Sequence, residues 1–375
     1  MLRKLIAAVI AVCLIVIMLP AAFASEQTFE EKIASYCENL GDTDGNKKIT
    51  VSDARKALRI AVGLESATAQ ELKNADIDND GGVTVNDARN ILRYAVNLSG
   101  FEIPNSVASK DEVLNLFVTA ANKVKTENPG LTRKTTTVVP SIRVTFEEIK
   151  GVPDIIRDFR VEDMELSDAK VYMEEYITEL EGSIIGFLPQ VKEMRKEWDE
   201  KKDNFDKLYT PVVDTFHVKA GNSHYAQFTV KRKMWASKAE LDDVKTAVLS
   251  FKNGMYEIKI TYADSPTYGT VGETLPTDLT KIPYGRMFDL ETYTTYVKPA
   301  NTNFRFNSLK FKNGTVNCKI NLHTETLETA VYRFDQIWDQ TIIEKSGTEE
   351  KDSESRYVIT AKNTAEYIIG QPAVQ

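Results

Sequence analysis

With 375 residues the chain is longer than one compact domain usually holds, which predicts two domains. It carries 55 acidic against 47 basic residues, a formal net charge of −8. With no basic cluster, that balance leaves no electrostatic footprint for nucleic acid and argues against an anionic membrane surface as partner.

The N-terminus reads as a leader. Arg3-Lys4 precede an apolar run from Leu5 to Leu19, Pro20 and the small-residue motif Ala22-Phe-Ala24. These are the charged region, apolar core and processing site of a secretory signal peptide, removed after Ala24. The run falls short of the roughly 20 residues a spanning helix needs. No later stretch is apolar enough to span, so the protein is expected to be secreted, in an extracellular or cell-surface complex, with no membrane span after cleavage. Losing two cations and no acids takes the charge to −8 − 2 = −10. Cys37 and Cys318 then remain. Two cysteines make no disulfide framework, and one disulfide or two free thiols both stay open.

After an N-terminal segment (residues 25–37), two twelve-residue loops follow. The first runs Asp42-Thr-Asp44-Gly-Asn46-Lys-Lys48-Ile-Thr50-Val-Ser-Asp53, the second Asp76-Ile-Asp78-Asn-Asp80-Gly-Gly82-Val-Thr84-Val-Asn-Asp87. Both place side-chain oxygens at positions 1, 3, 5, 9 and 12, and position 7 (Lys48, Gly82) offers a backbone carbonyl. That spacing wraps a hard cation in oxygen ligands, so two Ca²⁺ ions are expected. The residues after each loop align without a gap, Thr50 to Leu64 against Thr84 to Leu98. Asn39-Leu-Gly41 is too short to be the incoming helix of an ordinary EF-hand, and position 12 is Asp rather than Glu. Each repeat is therefore expected to be a loop followed by one helix.

A duplicated loop–helix with Asp at position 12 resembles the type I dockerin, over roughly residues 38–100. The resemblance implies a small all-α calcium-binding module that plugs a secreted protein into a cohesin domain of a scaffoldin, in the context of polysaccharide breakdown. It also implies where the partner is read: loop positions 10 and 11 and one to two turns into the helix. Here those are Val51, Ser52, Leu58 and Arg59 in the first copy, and Val85, Asn86, Leu92 and Arg93 in the second. Ala54/Ala88, Leu58/Leu92, Ala61/Ala95 and Val62/Val96 form an apolar stripe at helical spacing, part of which must hold the module's own core. The alternative is that Leu58 and Leu92 are core and the arginines merely solvated.

A short linker, residues 101–109, leads into a domain spanning 110–375. Ser109-Lys-Asp-Glu112 is a capping box opening a helix that carries Val113, Leu114, Phe117, Ala120, Ala121 and Val124 on one face and ends at Asn128-Pro-Gly130. Leu131 to Lys150 predicts one or two strands, and Asp154 to Leu208 mostly helix, with segments starting at Ser167 and at Pro189. From Phe216 the period falls from 3.6 to 2, as in Tyr256 to Tyr262 and Val316 to Leu322. Each of those follows an Asn-Gly pair (Asn253-Gly254, Asn313-Gly314) that predicts a hairpin to an upstream strand. His323 to Ile343 and Tyr357 to Ile369 add strands. The fold class is thus α+β overall: the small all-α repeat module, then early helices packed on one face of a long-stranded, mainly antiparallel sheet with its other face solvated.

Chemistry in this domain is sparse. His217 and His224 would face opposite sides of a strand, and His323 stands apart, a poor start for a metal site. Gly269-Thr-Val-Gly272 lacks the strand–helix setting of a nucleotide cradle. Asp335 and Asp339 could serve as acid and nucleophile in sugar hydrolysis. Trp198, Trp235 and Trp338 could stack on a glycan or pack a core. Two cargo classes stay open: a non-catalytic structural, carbohydrate-binding or ligand-binding accessory, and a glycoside hydrolase or other polysaccharide-active enzyme whose catalytic residues the sequence does not single out.

Overall fold

A computed structural model describes residues 27–146, 161–222, 239–268, 304–344 and 353–370. The leader, His224, Trp235 and the stretch 269–272 lie outside them. The chain divides into two compact units, Met1–Leu92 and Arg93–Gln375. No helix among the described residues is long and apolar enough to cross a membrane.

The first unit holds α1 (Phe29–Cys37), α2 (Val51–Ala61), α3 (Ala69–Ala75) and most of α4 (Val85–Ala95). This corrects the expectation of one helix per repeat, because α1 and α3 precede the two loops. Both start at reciprocal capping boxes. Thr28 and Thr68 accept from the backbone N–H of Glu31 and Glu71, whose carboxylates return to the cap amides. Ile33, Ala57, Ala75 and Ile91 are fully buried at the centre of the unit. Three of the four helices contribute an alanine to the core (Ala54, Ala57, Ala75 and Ala88), and side chains that small let the backbones approach closely.

Among its described residues, the second unit contains α5 (Lys110–Glu127), α6 (Leu166–Gly182), α7 (Pro189–Leu208) and nine strands. These are β1 (Phe101–Glu102), β2 (Leu131–Phe146), β3 (Val161–Glu165), β4 (Val212–Val218), β5 (Val244–Lys252), β6 (Met255–Tyr262), β7 (Phe304–Asn321), β8 (Thr326–Glu344) and β9 (Ser353–Ile369). They form one sheet in the order β1-β5-β6-β7-β8-β9-β2-β3, with β4 also on β2, and every ladder is antiparallel. The expected linker 101–109 is instead part of this domain. Phe101 and Ile103, two apart and so on one face of an extended chain, are buried, and β1 pairs with β5. Gly100 is needed there, since a Cβ would sit 2.7 Å from the Phe251 carbonyl oxygen.

Helix α5 covers β5, β6 and β8 through Val113, Leu114, Phe117 and Ala121. Farther along the long strands, Leu166 and Ala169 of α6 pack on Ile142, Val144 and Val161, with Phe205 of α7 and Ile359 of β9 alongside. Ala330 pairs with Tyr367 and Trp338 with Ile359, and these residues have one parity on β8 and β9. Both helical layers therefore lie on the same face of the sheet, as expected.

The two Asn-Gly pairs behave differently. Asn253 and Gly254 (φ 52° and 78°) form the predicted two-residue turn between β5 and β6. Asn313-Gly314 makes no hairpin; it lies inside the single strand β7. Lys312 faces Asp335 and Thr315 faces Arg333, so one extra residue bulges out. Asn313 takes the same left-handed conformation (φ 55°), but its backbone N–H donates to Asp264 Oδ1 and its amide to Asp335 Oδ2, which hold the strand on course.

Candidate metal centres and docking face

Each loop is folded by its own carboxylates. Asp42 accepts from the backbone N–H of Gly45 (2.9 Å), Asn46 (3.1 Å) and Lys47 (2.7 Å). In the second copy Asp76 accepts from Asp80 (3.1 Å) and Gly81 (3.0 Å). Position 5 closes a smaller turn in both: Asn46 Oδ1 accepts from Lys48 N–H and Asp80 Oδ1 from Gly82 N–H. Positions 4 and 6 are left-handed in both loops, Gly45 and Lys47 (φ 75° and 66°) and Asn79 and Gly81 (φ 56° and 94°).

Position 12 ties loop to helix. Asp53 Oδ1 accepts from the N–H groups of Thr43 and Asp44, and its Oδ2 from the N–H and hydroxyl of Thr50, the cap of α2. Asp87 likewise accepts from Ile77 N–H and from the N–H and hydroxyl of Thr84. Both carboxylates are fully buried. Thr50 and Thr84 thus serve as helix caps at loop position 9.

These paths bring Asp42, Asp44 and Asp53 together, with one oxygen of each within 4.8 Å of the others. Asp76, Asp78 and Asp80 converge in the same way, while Asp87 stands outside that group of three. The donors are hard oxygens, as a hard cation requires. Burial and the charges of Asp87, Asp80 and Asp76 hold the Asp78 carboxyl above its ordinary value, a crowding that a divalent cation would relieve. The residues present therefore fit such an ion.

Two braces went unseen in the sequence. Asn74, the second-last residue of α3, donates from its amide to Asp42 O and accepts Gly41 N–H at its own carbonyl, both at 2.7 Å. Tyr36 of α1 donates to Ile77 O at 2.7 Å. The T-x-x-E signatures at Thr28 and Thr68 were the signal that would have found the helices carrying them.

The residues expected to read a partner are on the surface. Leu58 and Leu92 are 42% and 41% exposed, and Leu64 and Leu98 are both 70% exposed. Val51/Val85 and Val62/Val96 are exposed as well, and so are Ser52, Asn86 and the two arginines. The core positions are Ala54, Ala57, Ala88 and Ile91 instead, so Leu58 and Leu92 are not core. Arg59 donates to Glu65 at 2.9 Å, whereas Arg93 reaches the Ser99 hydroxyl at 3.3 Å.

In the second unit the candidate catalytic pair does not meet as acid and nucleophile. Asp339 is held by Arg356 through two hydrogen bonds (2.9 and 2.5 Å) and by the Asn307 amide (2.8 Å). Burial pushes its pKa up, but Arg356 and Asn307 outweigh it and leave it below the usual value. Asp335 accepts from Asn313. Trp198 is buried, donates to Glu174 and packs on Phe205, which is a structural role. His217 contacts the Thr132 hydroxyl on the neighbouring strand, and His323 lies in the exposed turn after β7. A groove of about 640 Å³ between α6 and α7 is floored by Leu166, Phe205 and Tyr209, and the Lys170–Asp206 ion pair crosses its rim. Cys37 and Cys318 are each buried, one in either unit, and carry no disulfide here. The solvated face of the sheet is only partly so, since Asn307, Asp339 and Thr341 are buried on it. Comparison of the chain with family models, curated proteins and solved structures finds no match.

Proposed function

We propose that the duplicated loop–helix unit is a dockerin-like, calcium-dependent docking module of an exported protein. It would attach the C-terminal domain to a cohesin domain of a scaffoldin, in an extracellular complex of the cellulosome kind. One observation carries this reading: each loop gathers three carboxylates within 4.8 Å, and the helix after it leaves matching apolar residues in water. Repeated apolar exposure of this kind marks a surface built for a partner. Asp42, Asp44 and Asp53 would hold one Ca²⁺, Asp76, Asp78 and Asp80 the other, with Asn46, Thr50, Thr84 and Asp87 and the carbonyls of Lys48 and Gly82 as the further oxygens available in the two loops. A bound ion would neutralise these crowded carboxylates. The chain's own part is to orient α2 and α4 so that Leu58, Arg59, Leu92 and Arg93 face outward.

The test is calorimetric titration of the full chain with a panel of type I cohesins, in calcium and in EDTA. Binding that vanishes in EDTA is expected. Equal binding in EDTA, or none to any cohesin in calcium, overturns the reading.

For the C-terminal domain we propose a non-catalytic accessory role, structural or polysaccharide-binding. Its support is that Asp339 is neutralised by Arg356 and that Trp198 is committed to the core. Incubating the full chain with a polysaccharide panel tests this. Retention without release of reducing sugar is expected of a binding accessory, and sugar release would make the domain a glycoside hydrolase.

A further inference from the structure

The two loops differ at position 2, and the difference points outside the repeats. In the first copy position 2 is Thr43, whose hydroxyl donates to the carbonyl (3.0 Å) and carboxylate (3.2 Å) of Asp53, adding to its backbone N–H bond. In the second copy position 2 is Ile77, which has no hydroxyl. Its N–H still donates to Asp87, but the hydroxyl at this position comes from Tyr36, 41 residues away on α1, and donates to the Ile77 carbonyl. Helix α1 is seated by Ile33 and Cys37, both buried, so the Tyr36 bond exists only when α1 is docked.

We propose that Tyr36 is a positioning residue for the second loop, and that α1 is a working part of the module whose docking and the loading of that loop favour each other. This rests on the calcium reading above. Loading the loop requires the Ile77 backbone and Asp87 to hold their places. Tyr36 holds Ile77 at its carbonyl and Asp87 holds it at its N–H, so the two peptide groups flanking Ile77 are both fixed. By linkage, whatever docked α1 adds to calcium affinity, bound calcium returns to the docking of α1.

The experiment uses the chain from Ser25 onward, whose thiols are Cys37 and Cys318. Tyr36→Phe keeps the ring and removes the hydroxyl. Calcium calorimetry should show one of two sites weakened about two- to tenfold, the range for one lost hydrogen bond. In an Asp76→Ala background, Tyr36→Phe should leave the remaining site unchanged. The second readout is reaction of Cys37 with an aromatic disulfide reagent, which requires exposure of the thiol. Cys37 should react in EDTA and be protected by calcium in the parent, with weaker protection in Tyr36→Phe. Cys318, buried in the other unit, should stay unreactive throughout. Unchanged calcium affinities, equal weakening of both sites, or Cys37 reactivity indifferent to calcium would each overturn the proposal. If the parent binds no calcium at all, it is the calcium reading itself that fails.

Discussion

Lys47 and Gly81 occupy the same position in two loops and adopt the same left-handed backbone, φ 66° and 94°. Glycine does this freely, whereas an L side chain is strained by about 1–2 kcal/mol. The first loop also has a neutral Asn46 where the second has Asp80. Calcium calorimetry should therefore resolve two classes of site, with Asp76→Ala removing the tighter. Lys47→Gly should tighten the weaker site by about fivefold for each kcal/mol of strain relieved. Two equal sites in the parent would refute this.

Folding of the first unit should depend on the ion. Four of the nine apolar residues buried among its described residues are alanines, and a unit this small usually needs a staple. Far-ultraviolet circular dichroism of the full chain should lose part of its helical signal in EDTA and regain it with Ca²⁺, above a constant sheet background. A spectrum indifferent to the chelator would count against it.

Cohesin affinity should survive loss of either arginine and fail with loss of both. Because the two faces carry the same residues apart from Ser52 and Asn86, Arg59→Ala or Arg93→Ala alone should cost less than about threefold. The double variant should cost roughly thirtyfold or more, the scale of a lost interface anchor. Both side chains are exposed, so stability should change by no more than about 0.5 kcal/mol. A full loss from one single variant would leave one working face.

The Asp339–Arg356 pair should give the second unit an acid-sensitive component of stability. Its folded carboxyl titrates below the ordinary value near 3.9, so the pair contributes fully above that pH and is lost as pH falls through the folded value. Arg356→Met should destabilise by about 1–2 kcal/mol at neutral pH, modest because the guanidinium is largely exposed. The gap between parent and variant in denaturant titrations should close below pH of about 4. A gap independent of pH would assign the loss to packing.

The repeats were legible because loop ligands recur at fixed short spacing, and the sheet because its strands alternate. What escaped depends on contacts distant in sequence. Tyr36 reads as an ordinary aromatic until Ile77 arrives beside it, and Phe101 looks like linker until β5 pairs with β1. Asn253 and Asn313 make the point within one dipeptide. Both are followed by Gly and both are left-handed, yet one turns the chain and the other bulges. Asp264 and Asp335 decide the second case, and nothing local to Asn313 announces them.

Pairing of β7 with β8 is irregular at three unevenly spaced places: β7 carries an extra residue at Phe306/Ser308 and at Lys312/Thr315, and β8 carries one, Glu328, opposite Lys319/Ile320. Sliding β7 by one residue would turn Phe311, Val316 and Cys318 out of the core. Sliding by two would restore the faces but set each of the three bulges against a partner stretch without its matching register. The irregularities therefore act as a key cut to one position. Strands this long would otherwise have many near-equivalent alignments, among them those that join one molecule to the next.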